Sequence, residues 1–120
     1  MIASRILIVD DEDDLLETLH LLLTRAELDV TTAASGQAAV AALRRQRFDL
    51  VVTDLRMPGM DGAATITALR AIDPTLPVIV ATGCGTDEAL AECRDRGARA
   101  FIKKPFHLDD FVALVRHTLG

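Results

Sequence analysis

The chain has 120 residues, half of them hydrophobic and 26% charged, with a net charge of -5. That length suits one compact domain over residues 1–120, and that much apolar content with mixed charge excludes a disordered chain. The acid excess argues against direct nucleic-acid binding, which favours a basic face. The absence of a membrane-length apolar run and of a signal-peptide h-region makes a cytoplasmic domain the expectation.

In chain order, short apolar runs alternate with helical patterns. The first run is Ile6 to Val9. After it Leu15, Leu16, Leu19, Leu22, Leu23 and Ala26 recur at helical spacing, with Asp11 or Asp13 as the expected cap. A weak second run, Asp29 to Thr32, leads to a helix that Ser35 can cap. That helix ends near Gln46, with Arg44, Arg45 and Arg47 at its negative end. Leu50 to Thr53 is the third run. The helix after it is capped by Asp61 and stopped by Pro74. Val78 to Ala81 is the fourth run, with a helix from about Thr86 to Gly97. Ala100 to Ile102 is the fifth, before a helix carrying Leu108, Phe111, Val112, Val115 and Leu119 on one face.

Three of the runs are continuously apolar rather than alternating, as strands covered on both faces must be. Five β-α units in succession predict an α/β fold, a parallel sheet with helices on both faces and right-handed crossovers. Ligands in such folds bind beyond the carboxyl ends of the strands. There the sequence places Asp10 and Asp11, followed by Glu12, Asp13 and Asp14; then Asp54; then Thr82; then Lys103, Lys104 and Pro105.

Packed carboxylates repel unless a cation is present, and Mg²⁺ takes oxygen ligands. Read alone, Asp10 and Asp11 are as well explained by an exposed acidic turn at a helix start. Lys104 is the natural counter-charge, and strand alternation turns Lys103 to the other side. The Lys104-Pro105 bond is a candidate for the cis form. Thr82 offers a hydroxyl, and Gly83 leaves room for an anion. These groups suit phosphoryl transfer to a carboxylate, with Asp54 as nucleophile and the cation, Lys104 and Thr82 stabilising the transferring oxygens.

Four segments then stand out together: Arg5-Ile-Leu-Ile-Val-Asp-Asp-Glu12, Asp54-Leu-Arg-Met-Pro-Gly-Met-Asp-Gly62, Ala81-Thr-Gly83 and Lys104-Pro-Phe106. In order and spacing they resemble the motifs of bacterial response-regulator receiver domains, and the resemblance covers essentially the whole chain. It implies a flavodoxin-like (βα)5 fold with strand order 2-1-3-4-5. It implies that Asp54 takes a phosphoryl group from the phosphohistidine of a sensor histidine kinase or a histidine phosphotransfer protein. Asp11, Asp54 and the backbone carbonyl of Arg56 would ligate Mg²⁺ directly, with Asp10 acting largely through water. Lys104 and Thr82 would hold the phosphoryl oxygens. Thr82 and Phe101 would switch the face made by the fourth helix, fifth strand and fifth helix, toward an output domain or downstream protein.

In this family two positions tune the lifetime of the phosphorylated state, and here they are Arg56 and Cys84. Neither positions an attacking water well, so slow self-dephosphorylation is expected. Such a domain catalyses only its own phosphorylation and dephosphorylation. The alternative is a protein-interaction module of the same fold that is not phosphorylated. A haloacid-dehalogenase-type phosphatase fits less well, because Arg56 stands where those enzymes need an acid. The remaining candidates are bland. His20, His107 and His117 read as surface or capping residues, Cys93 as a small buried hydrophobe, and Met57, Pro58 and Met60 as loop packing. Gly59 and Gly62 suit turns. Arg94, Arg96 and Arg99 read as a solvated face that could also serve a homodimer. A stand-alone receiver and one domain of a longer regulator both fit the sequence.

Overall fold

The computed structural model describes residues 3–83 and 85–120. The expected Cys84 position therefore lies outside the described residues. Ten elements alternate without exception: β1 (Arg5–Val9), α1 (Asp13–Arg25), β2 (Asp29–Ala33), α2 (Gly36–Arg45), β3 (Leu50–Thr53), α3 (Gly62–Ile72), β4 (Val78–Thr82), α4 (Asp87–Asp95), β5 (Ala98–Lys103) and α5 (Leu108–Leu119). The strands form one parallel sheet in the order β2-β1-β3-β4-β5. This is the flavodoxin-like arrangement that the resemblance implies.

The apolar runs become the central strands for the reason given by their composition. Every residue of β3 and β4 is buried, so neither face of those strands meets water. Strand alternation divides the core in two. Leu7, Val9, Val51, Val78 and Val80 point to one side, where they pack with Leu43, Ile66, Leu69 and Cys93 from α2, α3 and α4. Ile6, Ile8, Leu50, Val52 and Ile79 point to the other, against Leu16, Leu19 and Leu23 of α1 and Phe111 and Val115 of α5.

The helix starts follow local chemistry. Ser35 Oγ accepts from the Ala38 N–H at 3.0 Å, Asp61 Oδ1 from the Ala64 N–H at 2.8 Å, and Thr86 Oγ1 from the Ala89 N–H at 3.1 Å. Asp73, held extended before Pro74, ends α3. One expected cap is corrected. Neither Asp11 nor Asp13 caps α1: Glu12 occupies the N-cap position and makes no side-chain cap bond. The reason is the preceding turn, in which Asp10 Oδ1 accepts from the Glu12 N–H at 2.9 Å and so brings Glu12, not Asp11, to the helix start. The fifth strand also runs longer than its apolar run, because Ala98 pairs with Val78 across a register shift that skips Arg99, and Lys103 pairs with Thr82.

Candidate functional site

The parallel sheet puts every strand's carboxyl end on one edge, and the ladder continues one residue past three of those ends. Asp10 N donates to Ala33 O at 3.1 Å, Asp54 N to Val9 O at 2.9 Å, and Lys104 N to Thr82 O at 3.1 Å. Backbone hydrogen bonds thus fix the Cα positions of both acids and the lysine before any side chain is considered.

The side chains then converge. Lys104 Nζ lies 2.5 Å from Asp10 Oδ2, 3.2 Å from Asp54 Oδ2 and 3.6 Å from Glu12 Oε1. Asp54 Oδ1 accepts from the Leu55 N–H at 2.7 Å, which leaves its carboxylate oriented by two donors on opposite oxygens. Asp10, Asp54 and Thr82 are only 3%, 8% and 7% exposed, so the polar groups sit at the floor of a depression rather than on an open face. That depression is a cleft of about 650 Å³ lined by Asp11, Glu12, Asp54, Arg56, Thr82, Gly83 and Lys104, with Leu15, Pro105 and Phe106 as its apolar rim.

Two opposed influences act on the Lys104 ammonium. Burial pulls its pKa down, and the hydrogen bond and charge of Asp10, joined by those of Asp54, outweigh burial and raise it above the ordinary 10.5. Lys104 therefore stays charged up to a higher pH than a free lysine. The alternation argument places Lys103 correctly: it is exposed, and Lys104 faces the acids. The Lys104-Pro105 bond is cis.

The donor set fits a hard cation. Carboxylate oxygens of Asp10, Glu12 and Asp54 lie within 4.8 Å of one another, and oxygen ligands of that kind are what Mg²⁺ takes. The resemblance implies Asp10, Asp11, Asp54 and the Arg56 carbonyl as ligands. Asp11 is exposed and lines the cleft but stands outside this close group, and Glu12 stands within it. Sequence reading saw Glu12 only as part of an acidic run; the signal that could have found it is Asp10 two residues earlier, whose side chain folds the backbone back at Glu12. Gly62 was also undervalued. It is no positive-φ turn residue; that role belongs to Gly59, with φ +83. A Cβ at Gly62 would stand 2.6 Å from the Asp54 carbonyl oxygen and 2.8 Å from Leu55 Cα. Its lack of a side chain lets α3 start directly beneath the acid.

Arg56 is exposed at the mouth of the cleft. Phe101 is half-buried on β5, some way from the acids, with the Arg94 guanidinium carbon 5.4 Å from its ring centroid. Cys93 is fully buried, as a small hydrophobe should be. The three histidines are exposed, and His107 occupies the N-cap position of α5 without a side-chain cap bond. Met57 is buried and Pro58 exposed in the loop between β3 and α3.

Comparison with known proteins agrees with this geometry. The sequence model described as response regulator receiver domain matches residues 6–116. The DNA-binding transcriptional regulator NtrC of Klebsiella pneumoniae is 39% identical over 113 residues, which is 94% of this chain and 24% of that protein. The transcriptional regulatory protein PrrA of Mycobacterium tuberculosis is 36% identical over 117 residues, 98% of this chain and 50% of that protein. Among solved structures, the chemotaxis protein CheY4 of Vibrio cholerae superposes with a TM-score of 0.92 at 27% identity, covering 97% of this chain and 98% of that one. A CheY-like receiver domain of Methanospirillum hungatei gives 0.94 at 27% identity, covering 98% and 94%. The chain belongs to the response-regulator receiver domains, the signalling modules of two-component systems. It spans about a quarter of the length of NtrC and half that of PrrA. No helix among the described residues is long and apolar enough to cross a membrane.

Proposed function

We propose that this domain accepts a phosphoryl group on Asp54 from the phosphohistidine of a sensor kinase or histidine phosphotransfer protein. The observation that carries the reading is Lys104 Nζ bridging Asp10 and Asp54 at the floor of a cleft that Thr82 and Arg56 also line.

The chemistry follows from what each group can do. The Leu55 N–H and Lys104 hold the two Asp54 oxygens apart, and the carboxylate attacks the phosphorus in line with the departing imidazole nitrogen. An O–P bond forms, the N–P bond breaks, and its electron pair stays on the imidazole, which takes a proton from solvent. Charge on the transferring oxygens grows in this step. Lys104 supplies a fixed positive charge there and Thr82 a hydroxyl, and both line the cleft with Asp54. A divalent cation such as Mg²⁺, held by Asp10, Asp11, Asp54 and the Arg56 carbonyl, with Glu12 close by, would neutralise the clustered acids and the incoming phosphoryl charge.

Arg56, exposed at the mouth, shields the acyl phosphate from water and lengthens its life, and Thr82 and Phe101 carry the change to the α4-β5-α5 face, where an output domain or partner protein would dock. The domain performs no reaction on a separate substrate beyond its own modification. Acetyl phosphate with Mg²⁺, followed by intact mass and peptide mapping, tests the core of this. One phosphoryl group on Asp54, absent in Asp54→Asn, is expected; modification elsewhere or none overturns it. In the same samples Arg56→Asn should shorten the phosphoryl lifetime, and an unchanged decay would show that Arg56 does not shield the group.

A further inference from the structure

Behind the acidic cleft lies a second cavity, of about 410 Å³, lined by Thr82, Gly83, Gly85, Leu90, Phe101, Ile102 and Lys103. Thr82 and Gly83 line both spaces, so they are the wall between them. Phe101 stands at the edge of this cavity, half-buried, with part of its apolar ring left in water. Burying that ring is favourable and the space for it adjoins it, so something must hold it out.

The restraint is Arg94. Its guanidinium carbon lies 5.4 Å from the Phe101 ring centroid, within cation–π range. Arg94 is exposed, but its helix is not loose at that end. Two residues on, Arg96 bonds to Thr67 Oγ1 at 2.9 Å and to the Ala63 carbonyl at 3.3 Å on α3, and to Glu92 at 2.6 Å. The cation over the ring is thus carried by a helix end pinned to its neighbour.

We infer that Arg94 is a latch: it holds the Phe101 ring at the surface and so sets how readily the domain passes to the state in which the ring fills the cavity beside Thr82. This rests on the phosphoacceptor reading, because a group bound in the cleft acts on Thr82 and thereby on the space that the ring can enter. A contact made only in the resting state lowers the affinity for any ligand that favours the other state. Releasing the latch therefore raises that affinity.

The test uses beryllofluoride with Mg²⁺ as phosphoryl mimic, titrated calorimetrically into the parent, Arg94→Ala, Phe101→Leu and the double variant. Arg94→Ala is expected to bind the mimic about two- to five-fold more tightly, the size of one exposed cation–π contact. The same substitution in the Phe101→Leu background is expected to change nothing. The sign is diagnostic. Removing a positive charge weakens the binding of an anionic ligand through the general field of the protein, so tightening points to the ring. Unchanged or weaker binding in Arg94→Ala, or tightening that persists in Phe101→Leu, overturns the latch. If the parent itself does not bind the mimic, the phosphoacceptor reading fails first, and the two failures are told apart.

Discussion

Lys104 shows how much rests on one side chain. It is the only cation within ion-pair distance of Asp10 and Asp54 among the described residues, and both acids are largely buried. Lys104→Met should therefore destabilise the cation-free protein by about 2 kcal/mol, the cost of leaving buried charged groups unpaired. Urea unfolding measures this, and added Mg²⁺ should recover more stability in the variant than in the parent. The pH dependence has a definite sign. The ammonium pKa lies above 10.5 in the folded state, so its contribution is complete below 10.5 and lost as pH rises through the folded value. Cys93 acts in an earlier window. Burial pushes its thiol above 9.0, with Glu92 and Asp61 pushing the same way and Arg96 opposing. Above 9.0 the unfolded chain sheds the thiol proton first, so stability falls with rising pH. Comparing unfolding at about pH 8 and about pH 10 in the parent and Cys93→Ala checks this: the parent should lose more.

At the scale of elements, the turn from β3 into α3 is a tight joint beside Asp54. Asp61 caps α3, and the Gly62 N–H donates to Leu55 O at 2.7 Å. Gly62→Ala would thrust a methyl group against the Asp54 carbonyl and the Leu55 backbone, neither of which can yield cheaply. The expected cost is about 1–3 kcal/mol, as for overpacking elsewhere, together with slower labelling by acetyl phosphate because Asp54 moves with the turn. Asp61→Ala removes only a cap, at about 1 kcal/mol, and should leave labelling nearly intact. Thermal melts of the two variants, paired with labelling rates, separate joint from cap. Joints of this kind are also where sequence reading falls short. Ser35 and Asp61 could be named as caps because the cap bond is local. The place of Glu12 beside Asp10 and Asp54 could not, since it depends on a side chain bending its own backbone two residues on. Nor could the Arg94–Phe101 contact, because the weak apolar stripe of α4 does not fix its rotation about the sheet.

Across the whole molecule, the gathering of Asp10, Asp54, Thr82 and Lys104 was legible because a parallel sheet leaves little choice, while the strand order came from the resemblance alone. Residues that follow apolar runs at similar offsets must meet at one edge, however far apart in sequence. What the pattern of runs does not reveal is how unequally the helices are held. Four of the five each bury two or more side chains, but α4 fully buries only Cys93, packs Ala89 and Leu90 partly against the core, and is tied by Arg96 to α3. Amide hydrogen exchange should accordingly be fastest in α4 among the helices and faster still in Arg96→Ala, with α1 unchanged. Equal protection of α1 and α4 in the parent would contradict this.

The division of the core by the sheet has a mechanical consequence. Because α1 and α5 rest on one set of strand side chains and α4 on the other, softness on the α4 side is not shared with the α1 side. The sheet works as a bulkhead. The lightly held α4 sits on one side of it, and α1 and α5 are stowed as ballast on the other.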